Sequence, residues 1–260
     1  MRRVPRWLYL PALAGVALIL IGPIAIVVRM PWNTFWQSVT SADSLTALQL
    51  GFVTAVISTA VCVVLGVPMA VVFARHDNVA IRIIRALVLL PLVLPPVVGG
   101  VALLYALGRY GLVGQYLDRA GITLAFTTPA VVIAQTFVAL PFLVLSVEGA
   151  LRSGGADFER IAATLGASPT RTLWRVTLPM ARPALIAGGV LAFARALGEF
   201  GATITFAGNL PGTTQTAPLK IYLDAINDPV EALPLALVLM VMALVVVIGV
   251  HLRQSPAATG

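Results

Sequence analysis

Long apolar runs, separated by short polar connections, dominate this chain. The hydrocarbon core of a bilayer is about 30 Å thick, so a helix needs about 20 apolar residues to cross it. Runs of about that length are residues 7–28, 49–73, 86–107, 130–147, 184–207 and 233–252. They are too long for membrane strands and do not alternate with polar residues. The pattern predicts an all-α polytopic membrane protein with about six transmembrane helices.

One compact polar interruption, residues 159–179, stands out between the fourth and fifth runs; we call it the polar segment. Around its start, apolar residues follow the spacing i, i+3, i+4 and i+7, which predicts a short amphipathic helix. These residues are Phe158, Ile161, Ala162 and Leu165. Gly166 is placed to end that helix in a left-handed conformation. Ser168 caps a second helix with Pro169 at its first position. Leu178-Pro179 is predicted to stop the second helix, and Pro183 to open the fifth span.

The third run is unusually rich in helix-breaking residues. Within ten residues it carries Pro91, Pro95, Pro96, Gly99 and Gly100. Such a helix cannot keep all of its backbone hydrogen bonds, so we expect it to be kinked or broken and packed against protein. Two interpretations of this break are open. It belongs to a hinged helix that lines a pathway, or it is a structural kink between packed helices.

Composition supports the membrane assignment and charge predicts the orientation. Hydrophobic residues make up 59% of the chain and charged residues 10%, far below the roughly 25% charged residues of soluble domains. With the N-terminus in the cytoplasm, the arginines on the inside are Arg2, Arg3, Arg6, Arg75, Arg82, Arg85, Arg152, Arg160, Arg171, Arg175, Arg182 and Arg253. Those outside are Arg29, Arg109 and Arg119, together with Lys220. The positive-inside rule therefore predicts that both termini are cytoplasmic, and the net charge of +7 gives no reason to expect a nucleic-acid partner.

Two residues that are charged at neutral pH lie within the predicted spans, Arg195 and Glu199. Four residues apart, they are expected on one face of the fifth helix. Charges at membrane depth are costly and face protein or water. One interpretation is that Arg195 gives a positive potential to a pathway through the membrane and that Glu199 reduces it. The other is that the two residues form a mutually neutralised pair that fixes helix packing. Thr203 and Thr205 either line the same pathway or bond back to their own helix.

Motifs for chemistry within this chain are lacking. A phosphate-binding loop needs a lysine in a glycine-rich pattern, and the single lysine, Lys220, has no such context. We interpret the single cysteine, Cys62, as a small apolar residue that fills space between packed helices. His76 and His251 have no clustered partners, so we assign no metal site and no cofactor to this subunit. The sequence therefore predicts that this chain has no nucleotide site of its own and is not an enzyme.

The polar segment resembles the cytoplasmic signature of binding-protein-dependent ABC importer permeases. That signature reads Glu-Ala-Ala, three residues, Gly, nine residues and Ile-x-Leu-Pro. The matching residues are Gly166, Val176, Leu178 and Pro179. The first part departs from the pattern, because Arg160-Ile161-Ala162 stands there and Glu159 lies one position early.

Further stretches narrow the resemblance, which extends over about residues 45–251. Residues 90–98 and 193–203 are similar to the oxyanion permeases for molybdate, tungstate and sulfate. Residues 206–209 and 214–222 most resemble the molybdate branch. The resemblance implies import of molybdate or tungstate, with a sulfate/thiosulfate permease as the alternative. An ion-gradient-driven transporter or channel, and a non-transporting scaffold, are remote alternatives, since one helix alone carries intramembrane charges.

The resemblance also implies an organisation. The expected fold is that of type I ABC importer permeases, with a first helix and outside loop (1–44), a core of five helices (45–252) that contains a coupling loop (148–182), and a tail (253–260). Residues expected to couple to the ATPase are Glu159, Arg160, Ile161, Ala162, Leu165, Gly166, Ala167, Ser168, Val176, Leu178 and Pro179. Residues expected along the translocation path are Pro95, Pro96, Arg195, Glu199, Thr203 and Thr205.

The implied assembly lies in the cytoplasmic membrane of a prokaryote. It contains a second permease copy, two cytoplasmic ATPase subunits that bind ATP and Mg²⁺, and an extracytoplasmic molybdate-binding protein. Membrane lipid surrounds the permease pair.

Overall fold

The computed structural model describes residues 5–154 and 156–254. Within these ranges the chain is helical and contains no strand, which confirms the predicted all-α class. The helices are α1 (Tyr9–Val28), α2 (Phe35–Val39), α3 (Ala42–Arg75), α4 (Val79–Leu89), α5 (Pro96–Leu107), α6 (Gly114–Arg119), α7 (Thr128–Gly154), α8 (Ala156–Thr164), α9 (Pro169–Thr172), α10 (Leu178–Leu197), α11 (Gly201–Phe206), α12 (Ala217–Asn227) and α13 (Leu233–Gln254). Arg2 and Arg3, which the orientation prediction uses, and positions 255–260 of the predicted tail lie outside the described residues.

Helix α7 lies at the centre of the described part of the chain and packs against α3 and α10. The largest buried side chains of this core are Phe73, Leu143, Val144, Val147, Leu151 and Leu197. Small residues allow the helices to approach closely, as is common within membranes. A Cβ atom on Gly188 of α10 would lie 2.8 Å from Cβ of Ser146 on α7. The α7–α10 contact is therefore set by that glycine.

Most of the predicted spans correspond to helices that are long and apolar enough to cross a bilayer. The continuous ones are Arg6–Val28, Ala42–Arg75, Thr128–Gly154 and Pro169–Leu197. The sixth predicted span is α13, whose described apolar stretch is the shorter Leu233–Gly249. Helix α1 has no buried residue, as expected for a first helix that faces lipid or another chain.

The third predicted span is broken, as its prolines indicated. Its two parts, Val79–Leu92 and Pro96–Leu107, meet at an angle of 117°. Pro95 precedes α5 in an extended conformation, with ψ of 132°, which a helix cannot accommodate. The predicted break is therefore confirmed.

The prediction for the fifth span was wrong at both ends. The helix begins well before residue 184, because it runs continuously from Pro169, and it ends at Leu197 instead of continuing to residue 207. A break at residues 198–200 separates it from the short α11. The break consists of Gly198, Glu199 and Phe200, and the length of the apolar run around them did not reveal it.

The segments that follow the two breaks, α5 and α11, pack tightly together. A Cβ on Gly100 would lie 2.7 Å from the carbonyl oxygen of Ala202. A Cβ on Gly201 would lie 2.8 Å from Cβ of Pro96. The two glycines thus allow the backbones of two broken spans to touch.

Candidate functional site

The first half of the polar segment forms the predicted helix, turn and second helix. At the end of α8, Gly166 has a φ of +77°. The amide of Gly166 donates to the carbonyl of Ala163, and that of Ala167 donates to the carbonyl of Ala162. These bonds form a Schellman motif, which satisfies the last carbonyls of the helix. Ser168 then accepts a hydrogen bond from the amide of Arg171 at 3.4 Å, and this confirms its role as N-cap.

The predicted stop at Leu178-Pro179 was wrong. The helix passes through both residues and also through Pro183. A π turn, Leu173–Thr177, makes this possible. In it the amide of Leu178 donates to the carbonyl of Leu173, five residues earlier. The hydrogen-bond register therefore shifts just before Pro179, which has no amide hydrogen to donate.

The apolar side chains of α8 are exposed on the surface of the chain. Phe158 and Ile161 are exposed, and Leu165 has 82% of its surface exposed. Trp174 in the π turn is exposed as well. Among the other residues predicted for coupling, Arg160 is exposed, whereas Ala162 and Val176 are half-buried. This end of the molecule thus presents large apolar side chains on a short, well-capped helix pair.

The carboxylate of Glu159 joins three elements. One of its oxygens, Oε1, pairs with Nη2 of Arg75, the last residue of α3. The same oxygen accepts a hydrogen bond of 2.6 Å from the hydroxyl of Thr177 in the π turn. Arg75 also donates to the carbonyl of Leu151 near the end of α7, at 3.4 Å. The sequence indicated Glu159 through its near match to the family pattern, but nothing in it indicated Arg75 or Thr177 as partners.

A second carboxylate, Glu148 of α7, is also bound by arginines, and the sequence did not single it out. Its side chain is 1% exposed, and it accepts from Nε of Arg85 at 3.0 Å and from Nε of Arg152 at 2.8 Å. Arg152 further donates to the carbonyl of Phe73 at 2.7 Å. The i, i+4 spacing of Glu148 and Arg152 was a usable signal. This network fixes α3, α4 and α7 to one another beside the polar segment.

Asp77 and Arg82 form a third ion pair, on the surface. Nε and Nη2 of Arg82 donate to the two carboxylate oxygens of Asp77 at 2.8 and 2.9 Å. The hydrogen bonds and the charge of Arg82 lower the pKa of Asp77 from its ordinary value. Asp77 therefore stays ionised near neutral pH in the short connection between α3 and α4.

Arg195 and Glu199 form an ion pair, although they do not lie on one helix as predicted. Helix α10 ends at Leu197, and Glu199 lies in the break that follows. Nη1 of Arg195 lies 2.6 Å from Oε2 of Glu199. The other oxygen of Glu199 accepts from the amide of Ala202 at 2.8 Å, at the start of α11. Glu199 thus neutralises an arginine and caps a helix at the same time.

The other predicted path residues fall into two groups. Pro95 and Pro96 are exposed at the start of α5. Thr203 is fully buried, and the hydroxyl of Thr205 bonds back to the carbonyl of Gly201 at 2.9 Å. The structure brings Pro96 and Thr205 to the α5–α11 contact. For Thr205 the ordinary alternative, a hydroxyl bonded to its own helix, is what the structure shows.

Comparison with known proteins places this architecture in a family. Residues 62–254 match the family described as binding-protein-dependent transport system inner membrane component. The chain is 57% identical, over 256 residues, to the molybdenum transport system permease protein ModB of Mycobacterium tuberculosis, covering 98% of this chain and 97% of that protein. It is 32% identical, over 250 residues, to the sulfate transport system permease protein CysT of Salmonella typhimurium, covering 94% and 90%.

A solved structure shares the fold. It is a bacterial ABC transporter involved in the import of the acidic polysaccharide alginate, with a TM-score of 0.71 over 97% of this chain and 95% of that chain. The sequence identity is 17%, so this likeness concerns the fold alone. Because the family match covers most of the chain and one relative is similar over nearly all of it, the chain belongs to the family of inner membrane components of binding-protein-dependent transport systems.

Proposed function

We propose that this chain is the permease subunit of an ATP-driven importer for an oxyanion, molybdate or tungstate. The observation that carries the proposal is the 57% identity, over nearly the whole chain, to a molybdenum transport system permease protein. The sulfate transport system permease protein, at 32% identity over similar coverage, is more distant. A sulfate or thiosulfate permease is the second candidate.

The working assembly contains two copies of this chain, two cytoplasmic ATPase subunits that bind ATP and Mg²⁺, and an extracytoplasmic binding protein that delivers the anion. The family description, which names binding-protein-dependent transport, supports the binding protein in this assembly. The excess of arginine in the segments assigned to the inside supports cytoplasmic termini and a cytoplasmic polar segment.

The polar segment is the part that docks on the ATPase. Leu165 and Trp174 in this segment, and Phe158 next to it, expose large apolar surfaces. In contact with water such surfaces mark a protein interface. The Schellman turn at Gly166 and the N-cap at Ser168 hold this surface in a fixed shape. A rigid surface can transmit a displacement, whereas a flexible loop would absorb it.

The anion path runs beside the two broken spans. The exposed prolines that open α5 and the partly exposed Arg195 support this location. Arg195 gives the path a positive potential, and Glu199 limits it so that a dianion can leave again. ATP binding closes the ATPase dimer and moves the polar segments together, which opens the permease pair outward; hydrolysis returns it to the inward-facing state.

The test is uptake of labelled molybdate in cells that lack this protein and in cells in which it is restored, at trace concentration with a large excess of sulfate. We expect restored uptake that sulfate does not suppress. Uptake that sulfate abolishes would favour the second candidate, and no uptake at all would contradict both oxyanion assignments. In the same cells, Gly166→Pro should uncouple or disassemble the complex; an assembled and fully active variant would contradict the docking role.

A further inference from the structure

The carboxylate of Glu159 joins α8 to α3 and to the π turn that precedes α10. Arg75 reaches it from the last turn of α3. Thr177 reaches it from the π turn, through a hydrogen bond of 2.6 Å to the same oxygen. The hydroxyl of Thr177 is sheltered, since that residue is 3% exposed. The side chains of Glu159 and Arg75 are 19% and 24% exposed, so the contact is partly sheltered from water. A hydrogen bond to a charged group is stronger there than at the open surface.

The position of Thr177 gives this contact a mechanical consequence. Thr177 is the last residue of the π turn, and Leu178 begins α10. Helix α10 has 20 residues, so it extends about 30 Å and ends beside the Arg195–Glu199 pair. The π turn is the place where the backbone register of this long helix already departs from the α-helical ladder, and such turns are frequent at functional sites.

We propose that Arg75 and Thr177 are positioning residues that fix α8 to α3 and to α10 through Glu159. A displacement of α8 then reaches α10 directly through the Thr177 hydrogen bond, besides passing along the chain through the Gly166 turn. This inference deepens the proposed function and rests on it, since it assumes that an ATPase moves α8. It assigns to Thr177 a role in coupling that no feature of the sequence indicates.

The experiment uses the whole transporter, purified through a tag on this chain and reconstituted into liposomes with molybdate-loaded binding protein. Two quantities are measured, the amount of ATPase that co-purifies and the molybdate imported per ATP hydrolysed. Thr177→Val removes the hydroxyl and keeps the shape, and Thr177→Ser keeps the hydroxyl. Thr59→Val is the matched control, because the Thr59 hydroxyl bonds within its own helix, to the carbonyl of Ala55.

We expect Thr177→Val to keep its ATPase and to lose about tenfold in molybdate imported per ATP, since a hydrogen bond to a charged group is removed. Thr177→Ser and Thr59→Val should stay within about twofold of the unaltered protein. Glu159→Ala combined with Thr177→Val should be no worse than Glu159→Ala alone, because Glu159→Ala already removes the oxygen that accepts from the Thr177 hydroxyl.

Several results would overturn the inference. The first is that Thr177→Val imports as much molybdate per ATP as the unaltered protein, and the second is that Thr177→Ser loses as much as Thr177→Val. The third is a double variant whose fold-loss in molybdate per ATP is the product of the two single fold-losses. Loss of the ATPase from Thr177→Val would place the hydroxyl in assembly and not in transmission. If the unaltered complex itself fails to couple ATP hydrolysis to molybdate import, the proposed function fails, and that outcome is visible before any variant is made.

Discussion

Arg195 and Glu199 form an ion pair at the break between α10 and α11, with 2.6 Å between Nη1 and Oε2. Their environments differ: the side chain of Glu199 is 1% exposed and that of Arg195 is 27% exposed. A charge left without its partner costs more the more deeply it is buried. The asymmetry therefore predicts unequal effects when either partner is neutralised.

The first prediction concerns the two single neutralisations. Arg195→Gln strands the buried carboxylate and should lower the free energy of unfolding by about 3 kcal/mol. Glu199→Gln strands the better exposed arginine, and its amide oxygen can still accept from Ala202, so we expect a smaller loss, about 1–2 kcal/mol. The double neutralisation should recover part of the loss. Thermal unfolding of the purified protein in detergent measures all three.

A larger loss of unfolding free energy in Glu199→Gln than in Arg195→Gln would contradict the assignment of Glu199 as the more deeply buried charge. If the double variant loses as much free energy of unfolding as the two single variants together, the residues do not act as a pair.

Close packing between α5 and α11 gives the second prediction. Gly100→Ala would place a methyl group 2.7 Å from the carbonyl of Ala202 and still closer to Oγ1 of Thr205. Because that carbonyl is backbone, relief requires the helices to separate, and we expect a loss of about 2 kcal/mol. Gly189→Ala on α10 is the control, since no atom from outside its own helix lies within 4 Å of the position that its Cβ would take. Equal unfolding temperatures for the two variants would contradict the described α5–α11 contact.

The turn at Gly166 gives the third prediction. Its φ of +77° is unfavourable for residues with a side chain, yet a Cβ added there would meet no atom within 4 Å beyond the adjoining residues. Gly166→Ala should therefore cost only the backbone strain, about 1 kcal/mol, and Gly166→Asn less, since asparagine tolerates this conformation. Hydrogen exchange of the amides in residues 159–172 should be fastest in the alanine variant and intermediate in the asparagine variant. Gly149→Ala, inside α7 with open space around it, should leave those amides unchanged.

Much of this architecture could be predicted from local signals. The length of the apolar runs predicted most of the spans. The turn and the second helix could be predicted from Gly166, Ser168 and Pro169, because capping depends on a few neighbouring residues. The continuation of the helix through Pro179 could not be predicted, since it depends on a change of hydrogen-bond register in the preceding turn. The partners of Glu159 could not be predicted either. Arg75 is 84 positions away in the chain, and it comes near Glu159 only in the folded protein.

The last prediction tests the exposed face of α8 as the surface that binds the ATPase. Leu165 is 82% exposed, so Leu165→Asp should change the free energy of unfolding of the permease by no more than about 0.5 kcal/mol. In the assembled transporter the same change places a charge in an apolar contact and should weaken ATPase binding by about 2 kcal/mol, roughly 30-fold. Leu210→Asp, in the connection between α11 and α12, is the matched control, because Leu210 is also exposed but lies far along the chain from the polar segment. The measurement is the ATPase retained on the tagged permease over a dilution series. If Leu165→Asp retains as much ATPase as Leu210→Asp at every dilution, the apolar face of α8 is not the docking surface.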